Sequence, residues 1–191
     1  MKKIILVAVI AISSFVGVNA QTSFGAKAGL NVANLSGDIT DNKALIGFNV
    51  GVFAEITLAD SFFLQPELVY SGQGTDTDVP LFGFDFFGVT ESYNLNYINI
   101  PIMFKYDVAN RFYLEAGPQI GFLVSAEYAG VDIKDDFETT DFGANFGLSY
   151  GFTEKLFAQA RYNIGLSNIA KDSGGDKISN TVLSFSLGYK F

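Results

Sequence analysis

Residues 181–191, TVLSFSLGYKF, alternate without a break between two kinds of side chain. Thr181, Leu183, Phe185, Leu187, Tyr189 and Phe191 fall on one face of an extended chain, and Val182, Ser184, Ser186, Gly188 and Lys190 on the other. Such a period of two fits a strand, whereas a helix would mix the two sets. The pattern recurs. Phe48, Val50, Val52, Ala54 and Ile56 oppose Asn49, Gly51, Phe53, Glu55 and Thr57, and Phe142, Ala144, Phe146, Leu148, Tyr150 and Phe152 oppose Gly143, Asn145, Gly147, Ser149 and Gly151. Eight strands are predicted in this way, over 22–31, 46–58, 62–72, 93–106, 112–126, 142–152, 156–166 and 181–191. Segments of about ten residues, apolar on one face and polar on the other, are the signature of a transmembrane β-barrel.

The spacing between strands points the same way. Short turns are expected at Ala59-Asp60-Ser61, 107–111 and Thr153-Glu154-Lys155, and long connections at 32–45, 73–92, 127–141 and 167–180. Outer-membrane barrels alternate short periplasmic turns with long outer loops, so an even strand number leaves both termini on the periplasmic side. The predicted fold is therefore all-β, an eight-stranded antiparallel up-and-down transmembrane β-barrel.

Lys2 and Lys3 precede the apolar run Ile4 to Ile12, and Val18-Asn19-Ala20 offers a small-residue cleavage site. This reads as a cleaved secretory signal over residues 1–20, with the barrel domain over 21–191. The apolar run is shorter than the roughly 20 residues of a spanning helix. Removing it takes two of the twelve basic residues and leaves ten against twenty acidic ones, a net charge of −10. Nucleic acid, whose phosphates require the opposite sign, is excluded as a partner class. A mean hydropathy of +0.27 in so acidic a chain is reconciled if the apolar faces meet lipid.

The polar faces carry Lys27, Glu55, Glu67, Lys105, Glu115, Arg161 and Lys190. A basic residue facing lipid at the midplane costs roughly 2–4 kcal/mol. Several such penalties would consume the ~5–15 kcal/mol stability of a whole domain. These seven residues are therefore expected inside, four cations nearly balancing three anions as a structural charge network that plugs the lumen. Lys27 with Glu55 and Lys105 with Glu115 are expected to pair along the ladder. An eight-stranded barrel is only wide enough to be filled by side chains or to hold one small ligand. Pro66, Pro101 and Pro118 lack the N–H that a ladder needs, so broken ladder bonds or bulges are expected beside them.

The opening FGAKAGLNVANLS at Phe24 to Ser36, FFLQPELVYSGQG at Phe62 to Gly74, YINIPIMFKY at Tyr97 to Tyr106 and the closing FSLGYKF resemble the outer-membrane beta-barrel domain family called PorT-like, abundant in Bacteroidetes. The resemblance covers nearly the whole mature chain and implies an eight-stranded barrel in the outer membrane of a Gram-negative bacterium. The family's namesake is linked to protein secretion and gliding, and no motif here carries that role over.

No histidine is present, so the usual base for activating a serine near neutral pH is absent. No cysteine is present either, which removes thiolate metal sites and disulfides. The chain is read as a non-enzyme without a cofactor. Two loop features remain. Glu127, Asp132, Asp135, Asp136, Glu138 and Asp141 face a single Lys134, and such carboxylates either bind a divalent cation weakly or keep the outer surface hydrated and bridged to lipopolysaccharide. Phe82, Phe84, Phe86 and Phe87 make the 73–92 connection too aromatic for a free solvent loop and suggest a hairpin that extends the third and fourth strands above the membrane; the rings either pack on one another and the rim or form a contact surface for a partner protein or an outer-membrane lipid. The expected role is structural or surface-interactive. A narrow channel for small solutes and a soluble lipocalin-like binding barrel, whose apolar face would line its cavity, are the alternatives.

Overall fold

The computed structural model describes residues 22–37, 42–81, 84–171 and 177–191, with residues 42, 78–81 and 84–90 described through their backbone. The expected signal at 1–20 and Phe82 lie outside the described residues, as do the side chains of Phe84, Phe86 and Phe87.

Among the described residues nine strands follow one another: β1 (Thr22–Gly37), β2 (Asn42–Ala59), β3 (Phe62–Leu81), β4 (Phe84–Ala109), β5 (Phe112–Tyr128), the two-residue β6 (Val131–Asp132), β7 (Thr140–Gly151), β8 (Leu156–Gly165) and β9 (Ile178–Lys190). Except for β6, which pairs locally with β5, each strand pairs antiparallel with its neighbours, and β1 with β9 closes the ring. Eight strands thus form a closed antiparallel barrel with no free edge through its wall.

The alternation decides which face goes where. Ile46, Phe48, Val50 and Val52 on β2 and Phe185, Leu187 and Tyr189 on β9 are exposed on the outside, Ile46 at 73% and Leu187 at 60%. Lys105 at 2% and Glu115 at 3% are inside. A lipocalin-like barrel requires the reverse, so that alternative does not fit. Near the short-turn end the outer face carries aromatic pairs, Phe62 with Tyr106 at 4.7 Å and Tyr150 with Phe152 at 5.6 Å between centroids. Rings of this kind girdle barrels at the membrane–water interface.

The prolines interrupt pairing where the missing donors demand it. β3 and β4 pair at Pro66↔Ile102 and next at Val69↔Asn99, a lapse that spans Pro101. β4 and β5 pair at Pro101↔Gln119 and next at Phe104↔Ala116, a lapse beside Pro118.

The long connection at 73–92 is not a free loop: as its aromatic run suggested, it continues β3 and β4 as a hairpin, paired to Pro80↔Gly88 and Leu81↔Phe84. Thr75, Thr77, Val79 and Val89 are β-favouring residues, so the strands simply continue past the wall. Among the described residues β2 accompanies β3 to Asn42↔Thr77, and β5 accompanies β4 to Tyr93↔Tyr128. Beyond those points β3 and β4 pair with each other as a short two-stranded ribbon, with a register shift between Pro80↔Gly88 and Leu81↔Phe84.

Candidate functional site

The lumen is filled in three tiers, and the inward positions of the alternating strands supply all of them. The tier nearest the short turns holds the seven charged residues. Lys27 Nζ lies 2.7 Å from Glu67 Oε2. Arg161 donates to both oxygens of Glu67 at 2.9 Å and to Glu115 Oε2 at 2.9 Å. Lys105 Nζ meets Glu55 Oε2 at 2.7 Å and lies 3.7 Å from Glu115 Oε1. Lys190 pairs with the other oxygen of Glu55.

The expected partner of Lys27 was Glu55, and the structure corrects this. The β1–β2 register sets Gly51 opposite Lys27 and Ser23 opposite Glu55, so the two charges stand four residues apart in height. Lys27 instead reaches past β2 to Glu67 on β3. Lys105 and Glu115 do face each other in register, yet the shortest ionic contact of Lys105 is with Glu55.

Neutral side chains complete the tier. Gln65 donates to Glu67 Oε1 at 2.8 Å and accepts from Lys105 at 3.0 Å. Gln159 accepts from Lys27 at 2.9 Å and donates to Glu115 Oε2 at 2.8 Å, while Ser149 donates to Glu115 Oε1 at 2.6 Å. Buried charges are tolerated only when their remaining donors and acceptors are satisfied in this manner. Sequence reasoning did not single out these helpers, although Gln159 and Ser149 stand on polar faces of the alternation.

Above the charges lies an amide tier. Asn49 donates to Asn31 Oδ1 at 2.8 Å, Asn31 donates to Ser71 Oγ at 2.9 Å, and Ser186 donates to Asn49 Oδ1 at 2.9 Å. Across the barrel Asn163 donates to Asn145 Oδ1 and Asn145 to Gln119 Oε1, each at 3.2 Å. They surround a recess of about 40 Å³, room for only a few water molecules.

The outer mouth is closed by an apolar cap of Leu35, Leu95, Tyr97, Leu123, Ala126, Phe137 and Ile169. Phe137 comes from the loop before β7, and Ile169 from the connection after β8. Backbone pairing ties these loops together, with Phe137 bridging Ala170, Glu138 N–H donating to Ile169 O at 2.7 Å and Lys171 N–H to Asp136 O at 2.9 Å. The acidic loop is therefore a folded strap over the mouth.

Within that strap the acidic residues have separate fates. Asp132, Asp135, Asp136 and Glu138 are exposed, as is Glu127 at the end of β5. Asp141, expected among solvated charges, is buried at 6% and accepts hydrogen bonds from Ser167 at 2.7 Å and Asn180 at 2.8 Å. It heads β7 and its side chain turns inward with that strand's polar face. Among the described residues, no three acidic side chains converge as a cation site would need.

A sequence profile of the family described as outer membrane protein beta-barrel domain matches residues 19–171. No curated protein matches the sequence. Among solved structures, the barrel is similar to Neisserial surface protein A at 17% identity with a TM-score of 0.61, covering 90% of this chain and 99% of that one. It is also similar to Ail, the attachment invasion locus protein of Yersinia pestis, crystallised with the heparin analogue sucrose octasulfate. That likeness is at 14% identity with a TM-score of 0.51, covering 90% and 99% of the two chains. A major outer membrane protein from Thermus thermophilus is similar at 14% identity with a TM-score of 0.50, covering 89% and 99%. At these identities the likeness is one of fold.

Proposed function

Because the chain belongs to the outer membrane protein beta-barrel domain family, we propose that it is a plugged outer-membrane scaffold that presents a recognition surface outside a Gram-negative cell. One observation carries this reading: the lumen is filled from end to end, while β3 and β4 continue past the wall as a paired ribbon. A ribbon whose edges have no strand partner among the described residues offers backbone donors and acceptors to an added strand of a partner protein. Residues 1–20 act as the export signal, and the mature chain begins at Gln21. The motifs at Phe24 to Ser36 and Tyr97 to Tyr106 support a PorT-like member of the family.

Ail was crystallised with a polyanion, and that ligand chemistry suits this chain poorly. The exposed Asp132, Asp135, Asp136 and Glu138 give the outer strap the same sign as such a ligand. These carboxylates instead hydrate the surface and bridge to lipopolysaccharide through divalent ions.

The test replaces residues 76–92 with a short turn and compares outer-membrane complexes on native gels. The reading expects the shortened barrel to remain folded and heat-modifiable while its complexes disappear. Complexes unchanged by the replacement would refute a recognition role for the ribbon.

A further inference from the structure

Two inward positions break the polar rule of the lumen wall. Phe53 on β2 and Phe157 on β8 alternate with Glu55 and Gln159 on the inner face, and they are buried at 3% and 4%. The strand order explains their placement. β2, β1, β9 and β8 are consecutive in the ring, so each phenylalanine stands one strand away from the β1–β9 seam. In the register each lies opposite a glycine on the adjoining seam strand, Phe53 opposite Gly25 and Phe157 opposite Gly188. Those glycines are notches: a Cβ on Gly25 would run into the Phe53 ring, and a Cβ on Gly188 into the Phe157 ring. With no side chain beneath them, the two rings lie over the seam strands and meet edge to face, their centroids 5.6 Å apart.

Polar side chains span the same joint. Lys190 of β9 pairs with Glu55 of β2. Lys27 of β1 donates to Gln159 of β8, and Ser186 of β9 donates to Asn49 of β2, each at 2.9 Å. The seam is also the joint that topology makes slowest to form. The other pairings in the wall join strands that follow one another in the chain, the small β6 aside, whereas β1 with β9 joins its two ends. The entropy of loop closure is largest there, so the seam closes last. Each ring and its glycine belong to one hairpin, β1–β2 or β8–β9, and can be seated beforehand. Only closure brings the two rings together. Until then β1 and β9 are open edges of the kind that invite a strand from another chain.

We propose that Phe53 and Phe157 are a lock on the β1–β9 seam. Each of the two terminal hairpins carries one half, seated on Gly25 or Gly188, and the ring-to-ring contact made on closure holds the barrel against reopening at this joint.

The test is amide hydrogen exchange of the full barrel in detergent micelles, read residue by residue by NMR. Phe53→Leu and Phe157→Leu keep an apolar side chain and lose the ring. Each should speed exchange of the β1–β9 ladder amides roughly two- to twelvefold, the span of an aromatic pair, while the β4–β5 ladder on the far side of the ring keeps its wild-type rates. The double variant should fall short of the product of the two single effects, because both remove one shared contact. Gly188→Ala, whose methyl group meets the Phe157 ring first, should speed the same amides, and adding Phe157→Ala should cancel that effect by emptying the space. Met103→Ala, a buried truncation on β4, should not single out the seam. Seam amides unchanged by both ring variants, acceleration spread evenly over all ladders, or the same seam response to Met103→Ala would overturn the proposal.

Discussion

Replacing Glu67 with Gln should be among the most damaging single changes that preserve side-chain shape. The Glu67 side chain is wholly buried and receives Lys27 at 2.7 Å, both terminal nitrogens of Arg161 at 2.9 Å and Gln65 at 2.8 Å. Glutamine keeps the volume but removes the charge, leaving the buried Lys27, Lys105 and Arg161 and the partly buried Lys190 against Glu55 and Glu115. It also turns a donor toward donors. Breaking a buried ion pair from one side costs about 3–5 kcal/mol, a large share of the ~5–15 kcal/mol that holds a domain together. Glu138→Gln, at an exposed position, should cost no more than about 1 kcal/mol. Both can be measured by urea titration of barrels folded in phospholipid vesicles, with the folded fraction read from gel mobility without boiling. Adding Lys27→Met to Glu67→Gln should recover part of the loss, a coupling of about 0.5–3 kcal/mol. If Glu67→Gln and Glu138→Gln unfold at the same urea concentration, the charge tier does not hold the barrel together as described.

Phe146 points outward and is half exposed, so Phe146→Lys should cost about 2–4 kcal/mol; vesicle insertion as efficient as wild type would contradict the assignment of the faces. Ile169 is fully buried in the apolar cap, and Ile169→Ala should destabilise by about 2–5 kcal/mol. The same variant should expose residues 129–139 to protease, and an unchanged digestion pattern would show that the strap is not anchored by the cap.

The faces of the strands were legible because one rule decides them. Phe48, Val50 and Val52 must meet lipid, and Glu55 and Lys105 must not, so alternation alone sorts inside from outside. The short turns were legible for a related reason, since Asp60-Ser61 and Asn110-Arg111 interrupt that alternation with polar residues. The pairing inside the lumen was not legible. Lys27 on β1 and Glu67 on β3 meet past the intervening β2, and the depth of each depends on register and stagger around the ring, which no single segment encodes. The cap was hidden as well, because Phe137 and Ile169 are isolated apolar residues within polar loops and gain meaning only when the two loops meet. Residues 73–92 were legible in part: their aromatic run argued against a free loop and for an extension of the third and fourth strands, whereas the register of that extension, with its shift beside Pro80, was not.

The central claim is that the barrel is closed along its axis and works through its outer end. Single-channel recording of the purified mature chain in planar bilayers tests it most directly. A filled lumen predicts a flat trace with no discrete steps in protein-containing membranes that also yield the heat-modifiable band. Reproducible steps of a fixed size, lost when Lys105 or Arg161 is replaced, would contradict it and make the lumen a conducting path.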